Sequence, residues 1–149
     1  MNIDVLSVKD KVQRYLTDAL DTVVVDSDGD FTFRIGSTQM WVAVAEAKTT
    51  KQQNEYVAVR VFANTNNRVP PSPELFEYVA MQGRFAFGAL RCYKKDDGVR
   101  IFLEHTLVGD FLDPSELWIC FGEMAHNADA VDDHIKSKFG GVLYHEGSK

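Results

Sequence analysis

The chain has 149 residues, the length of one domain at the usual allowance of about 150 residues each, and its 45% hydrophobic content with ten phenylalanines excludes disorder along the whole length. Sixteen basic against 22 acidic residues give a net charge of −6, which repels phosphate backbones, so nucleic acid is not an expected partner. No stretch approaches the roughly 18 apolar residues of a membrane span, and the start MNIDVLSVKDKVQRYL lacks a signal peptide's basic-then-apolar order, so a cytoplasmic protein with no membrane partner is expected.

The first predicted element is a helix. Ser7 followed three residues later by Asp10 makes a variant of the capping box, and Val8, Val12, Tyr15, Leu16, Ala19 and Leu20 form one apolar face. Lys9, Lys11, Gln13, Arg14 and Asp18 take the remainder, so one side should be wet. The period then changes to two. Residues 22 to 25 are a short β-branched run, and Phe31, Phe33 and Ile35 alternate with Thr32 and Arg34. Between them DSDGD, residues 26 to 30, offers Asp28-Gly29 for a tight turn with positive φ. A turn at Gly36-Ser37 leads to a strand over 39 to 47, and the polar loop 48 to 55 leads to another over 56 to 63. Connections this short cannot make parallel crossovers, so the segment is an antiparallel meander.

NTNNRVPPSP, residues 64 to 73, holds three of the four prolines and reads as a loop. Ser72 and Pro73 start a short helix, as N-cap and first-turn residue, which carries Leu75, Phe76, Val79 and Ala80 and stops at Gly83. Strands over 85 to 94 and 99 to 107 follow, joined by KDDG with Asp97-Gly98 at the turn. The last element is a long helix. Asp113 caps it, Pro114 occupies its first turn, Glu116 completes a capping box, and Leu117, Phe121, Met124, Ala128, Val131 and Ile135 keep helical spacing up to Gly140-Gly141. The order α-ββββ-α-ββ-α describes a single α+β domain over residues 1 to 141, an antiparallel sheet with its helices expected on one face. Residues 142 to 149 read as a loose tail in which Val142, Leu143 and Tyr144 are able to dock.

The polar residues carry little chemistry. Cys92 and Cys120 sit among apolar neighbours and are expected as buried, inert thiols. Asp26, Asp28 and Asp30 have the first odd spacings of an EF-hand loop, but Phe31 stands where that loop needs glycine and Ser37 where it needs a bidentate acid. Glu123 and His126 form a Glu-x-x-His pair without the second copy that a di-metal bundle requires. Asp129, Asp132, Asp133 and His134 read as a solvated acidic patch. The sequence contains no Gly-x-Ser-x-Gly elbow, Walker loop, dinucleotide fingerprint or Cys-x-x-Cys. No catalytic residue, metal or cofactor is assigned.

The strands are more informative. Met40, Val42 and Val44 form one face of their strand, and Trp41, Ala43 and Ala45 the other. In the next strand Val57, Val59, Val61 and Ala63 oppose Tyr56, Ala58, Arg60 and Phe62, and later Val99, Ile101, Leu103 and His105 alternate with Arg100, Phe102, Glu104 and Thr106. The branched aliphatic set is expected to face the helices. The second face then holds Trp41, Tyr56, Arg60, Phe62 and Phe102, with Arg34 and Arg91 beside it, a composition suited to an interface. Two compatible readings stay open: the helix at 73 to 82 covers this face, or a partner does.

The order helix, meander, helix, hairpin, long helix resembles the YbjN-like proteins, which are similar in fold to the class I chaperones of type III secretion. The resemblance rests on the amphipathic first helix, the Asp28-Gly29-Asp30 turn before FTFRI, the passage VRIFLEHTLVGDFLDPSELW and the closing Phe139-Gly140-Gly141. The short strand at 22 to 25 is additional to the secretion-chaperone core. What the resemblance implies is a small, acidic, cytoplasmic, non-enzymatic protein that dimerises and holds peptide segments of a partner. The leading expectation is thus a chaperone-like protein- or peptide-binding module. Trp41, Tyr56, Phe62 and Phe102 would make contacts, Arg60 would orient a polar or acidic group, Phe76 would contribute to a homodimer, and a sheet edge would accept an extended segment. One alternative is a small-molecule-binding protein or enzyme with a pocket between sheet and long helix, holding His105 or Glu104; another is a regulatory subunit docked permanently on a larger protein.

Overall fold

The computed structural model describes residues 4 to 147. Helix α1 (Val5–Ala19) begins before the Ser7 box. Its N-cap is Asp4, whose carboxylate accepts from the Leu6 N–H at 3.0 Å, and Ser7 and Asp10 fall inside the helix. The cap moves because Val5 already belongs to the apolar stripe, so an acid immediately before it satisfies the first orphan amides. Val8, Val12 and Leu16 bury their side chains.

The meander consists of β1 (Val24–Val25), β2 (Phe31–Ile35), β3 (Thr38–Lys48) and β4 (Glu55–Val69). The β1–β2 turn is built on Asp26: its Oδ1 accepts from the amides of Asp28 and Asp30, at 2.9 and 3.0 Å, while Gly29 takes φ 85°. After the meander come α2 (Pro73–Gln82), β5 (Ala89–Lys95), β6 (Gly98–Val108), a 3-10 turn (Gly109–Phe111) and α3 (Pro114–Phe139), then β7 (Val142–Leu143) and α4 (Tyr144–Gly147). Ser72 caps α2 and Asp113 caps α3, each through a side-chain oxygen, with proline in the first turn. The sheet order is β1-β2-β3-β4-β6-β5, every pair antiparallel, and β7 pairs with the far end of β4. The fold is α+β.

Other boundaries also differ from the sequence expectation. The stretch 64 to 69, read as a loop, is the continuation of β4. Register shifts beside Asn64 and Asn66 and a φ of 54° at Arg68 absorb its irregularity. Side chains then supply the missing bonds: Thr65 Oγ1 donates to the Ile101 carbonyl and Asn66 Nδ2 to that of Asp132. The strand expected from 85 starts only at Ala89, because Gly88, at φ 99°, turns the chain where a Cβ would press on Leu103 at 3.0 Å. In the β5–β6 hairpin Lys95 pairs with Gly98, so Asp96 and Asp97 make the turn. Gly98 is needed one step later, where β4 passes: a Cβ would meet the Arg68 backbone at 2.9 Å. The segment expected as a tail is docked as far as residue 147, Val142 and Leu143 pairing with Asn67 and Asn66.

The buried side chains lie between the sheet and the helices. Met40, Val42, Val57, Val59, Val61, Ala63, Ile101 and Leu103 are all fully buried, together with Val12 and Leu16 of α1 and Leu117, Cys120, Met124 and Ile135 of α3. The 3-10 turn locks this layer to β4. Lys11 Nζ donates to the Gly109 carbonyl at 2.7 Å, the Asp110 carboxylate accepts from the Val57 N–H at 3.0 Å, and a Cβ at Gly109 would collide with Val8 at 2.6 Å. Helix α2 joins the same side: Leu75 is in the core, and the Tyr78 ring meets His134 and Phe139 of α3 at 5.1 and 5.5 Å. It therefore does not cover the second face of the sheet, and the first of the two open readings is corrected. Its apolar stripe has its complement in α3 and the aliphatic side of the sheet, so nothing draws it across.

Leu103→Ala tests this layer. The side chain is fully buried in β6, so its loss should lower unfolding stability by about 2–5 kcal/mol, read as a lower urea midpoint with unchanged m. Ser at Phe111, which is 83% exposed, should stay within about 0.5 kcal/mol of the parent in the same measurement.

Candidate functional site

Pairing across the central strands sets the outer face. Trp41 lies opposite Phe62, and Phe62 opposite Glu104; Asn64 lies opposite Phe102, and Phe102 opposite Arg91. The rings touch in sequence. Trp41 and Phe62 stack at 5.7 Å with planes 8° apart, Phe62 meets Phe102 at 6.2 Å, and Tyr93 meets Phe102 edge-on at 5.5 Å. Tyr144, in α4, closes the row against Trp41, edge-on at 5.3 Å. Such pairs each add about 0.5–1.5 kcal/mol beyond area burial, so the rings hold one another in place while remaining half-exposed. The exposed Arg60 lies over the Phe62 ring, its guanidinium carbon 4.6 Å from the centroid. Beside the row Ala43, Ala45 and Ala58 leave a low floor on the same face.

Of the residues singled out in the sequence, Trp41, Phe62, Phe102 and Arg60 are thus brought together. Tyr56 shares their face but lies at its far end, opposite Ala47. Phe76 does not join them; it is exposed on α2, on the helix side. Sequence reasoning missed Tyr93 and Tyr144. Tyr93 was within reach, since it alternates with Arg91 along one strand face. Tyr144 was not, because it reaches Trp41 through the pairing of β7 with a part of β4 read as loop.

Between the sheet and α3 the core fills most of the space; a cleft of about 20 Å³ remains, bordered by Thr38, Thr65, Ala128 and Asp132, with neither His105 nor Glu104 in its lining. Glu104 points to the outer face, where it accepts from the Tyr93 hydroxyl at 2.7 Å and pairs with Arg91 at 3.5 Å. Burial and the Glu104 hydrogen bond push the Tyr93 hydroxyl above its ordinary value. His105 Nδ1 accepts from the Gly88 N–H at 3.1 Å and its ring packs on Phe87. A cleft of about 320 Å³ touches both residues at the β5 end, lined by Arg84, Phe85 and Thr106 among others but by no residue of α3. Both cysteines are free. Burial, with Glu116 nearby, raises the Cys120 thiol to about 12, and burial also raises the half-buried Cys92, so both stay protonated and poorly nucleophilic. Among the described residues no group of three His, Cys, Asp or Glu side chains could hold a metal ion, and no helix is long and apolar enough to cross a membrane.

An antiparallel sheet with its long helices packed on one side is the fold of the type III secretion chaperones. The chain belongs to the TY-Chap1 family, described as T3SS (YopN, CesT) and YbjN peptide-binding chaperone 1, whose model matches residues 7–147. Among solved structures it is similar to the Yersinia pestis type III secretion chaperone SycH, crystallised in complex with a stable fragment of YscM2. That likeness has a TM-score of 0.55 at 12% identity and covers 83% of this chain and 98% of that chain, so it bears on the fold. No curated protein matches in sequence.

The acidic stretch of α3 is more than a solvated patch. Asp129 Oδ1 accepts from Ser37 Oγ at 2.9 Å and Thr38 Oγ1 at 3.1 Å, tying α3 to the β2–β3 turn. Burial pushes the Asp132 carboxyl up to about 6, with Asp133 and Asp129 adding to it against the Asp133 N–H and His145. The folded state therefore binds this proton more tightly than the unfolded chain, whose carboxyl keeps its ordinary value of 3.8. Through this group stability is fully present at low pH and is lost as pH rises through the folded value. Asp132→Asn should raise the melting temperature at about pH 7, and the advantage over the parent should shrink toward about pH 4. Thermal unfolding of both proteins across that range checks it; a constant difference contradicts it.

Proposed function

We propose that the chain is a non-enzymatic, chaperone-like module that holds an extended segment of a partner protein against the outer face of its sheet. The observation that carries this is the row Trp41–Phe62–Phe102, mutually packed, half-exposed and left open by α1, α2 and α3, in a member of a peptide-binding family. Large rings already fixed by their neighbours lose little conformational freedom when a partner covers them, which is why aromatic and Arg side chains dominate binding hot spots. The alanines beside them let a backbone approach closely. SycH, a protein of similar fold, was crystallised in complex with a stable fragment of another protein, YscM2. Cytoplasmic action and a homodimer that uses the exposed Phe76 belong to the same proposal.

A second mode has its own support. Strand β1 pairs with Phe31 and Thr32 of β2, and beyond it a groove of about 470 Å³ runs past Leu20, Val24, Phe33 and Arg34. An added strand would find unpaired backbone there.

The combined Trp41→Ala and Phe62→Ala variant should capture the native partner about 10- to 30-fold more weakly, the loss expected of a hot-spot pair. Capture would be quantified by mass spectrometry beside a melting curve showing that the variant is folded. Unchanged capture by a folded variant refutes the outer face and leaves the β2 edge as the site. Light scattering reads the dimer: twice 16.8 kDa is expected for the parent, and a shift toward monomer for Phe76→Ala.

A further inference from the structure

Charge on the outer face runs against the charge of the chain. Its strand residues include Arg34, Arg60, Arg91, Lys95 and Arg100, with Glu104 as the opposing carboxylate, in a protein of net charge −6. Glu104 is already engaged by Tyr93 and Arg91. Among the described residues Arg34, Arg60 and Arg100 make no ion pair; Asp30, at the rim, feels the charge of Arg60 from beyond ion-pair distance.

The spacing of these charges suits an extended chain. Along β4, Arg60 and Phe62 are successive outward residues, about 7 Å apart in a strand. A segment lying over β4 has the same repeat, so side chains two positions apart along it meet the arginine and the ring in turn. The Arg60 guanidinium sits over Phe62, its central carbon 4.6 Å from the ring centroid, and makes no ion pair among the described residues, so its N–H groups can serve a carboxylate. A second copy of this chain is a poor occupant, since a two-fold contact of outer faces would bring the same cations together. Nucleic acid is disfavoured by the acidic remainder of the surface.

We propose that the segment held on this face is acidic and apolar, with a carboxylate two residues from a large aromatic or aliphatic side chain, the carboxylate meeting Arg60 and the apolar group packing on Phe62 and Phe102. This rests on the outer face being the docking surface.

Fluorescence anisotropy of three labelled synthetic peptides on the full chain tests it: one alternating Glu with Phe and Val, one with Lys for Glu, and one with Ser for the apolar residues. The Glu peptide should bind, and the Lys and Ser peptides about tenfold or more weaker, with salt weakening the Glu peptide. Arg60→Glu, a change at an exposed side chain, should remove or invert the preference between Glu and Lys. If the Glu and Lys peptides bind equally and Phe62→Ala weakens both, the face stands as a docking surface and the acidic preference is overturned. If Phe62→Ala leaves the Glu peptide unaffected, or no peptide binds, the outer face itself is refuted. Tighter binding of a single-stranded oligonucleotide, or self-association abolished by Arg60→Glu, overturns the inference in favour of nucleic acid or of a second copy.

Discussion

Val57, Val59, Val61 and Ala63 are fully buried on one side of β4, and their burial governs what the other side presents. Side chains of a strand alternate, so fixing that set beneath the helices sends Tyr56, Ala58, Arg60 and Phe62 outward. A slip of one residue would exchange the sets, exposing three valines at about 1.5–3 kcal/mol each and burying an arginine without a partner. The register is locked at more than one place: Asp110 holds the Val57 amide, and β3 and β6 flank β4 on either side. The candidate site is in this sense the reverse of the core, specified by the same pairing.

The features that follow from side-chain period were legible in the sequence. The two faces of β3, β4 and β6 came from alternation, and the starts of α2 and α3 from Ser72-Pro73 and Asp113-Pro114, because in each case the physical cause lies within a few neighbouring residues. The stretch 64 to 69 was illegible for the opposite reason. Asparagines and a Val-Pro-Pro run suggest a loop, but here Thr65 and Asn66 bond to Ile101 and to Asp132, partners far along the chain that composition does not register. The same distance hid Tyr144. Trp41, Phe62 and Phe102 could be assigned to one face from their parity, whereas Phe76, expected at a dimer contact, lies apart from them on α2, which packs against α3.

Helices α1, α2 and α3 all pack on one side of the sheet, while the short α4 brings Tyr144 to the end of the outer row, and this explains how aromatic residues remain accessible in a stable protein. All the long apolar stripes, on α1, α2 and α3, are satisfied on the aliphatic side, so stability does not call for covering the outer face. The outer rings gain from one another what they lack in burial, through stacking and edge contacts and through Arg60 over Phe62. A surface arranged in this way is ordered before any partner arrives. Truncating its rings should then affect binding more than folding, the reverse of what is expected for the leucines and valines beneath.

An exposed aromatic face also invites self-association, and the distribution of charge bears on that. Arg34, Arg60, Arg91 and Arg100 surround the rings, while the acids of α3, Asp129 and Asp133 among them, lie on the helix side. Two outer faces approaching each other meet like charges around their apolar centres, and at about 0.15 M salt, with a screening length near 8 Å, that repulsion still acts at the contact distances where rings would begin to touch. A segment carrying carboxylates meets attraction at the same range. The arginines thus do two things with one charge: they oppose the homotypic contact that the rings alone would favour, and they lower the free energy of the heterotypic one. A purely aromatic face would bind more partners and would stick to itself; a purely cationic one would lack the apolar area to hold a segment in place. The combination is what a face must have to stay open in solution and still be selective when it closes on a partner.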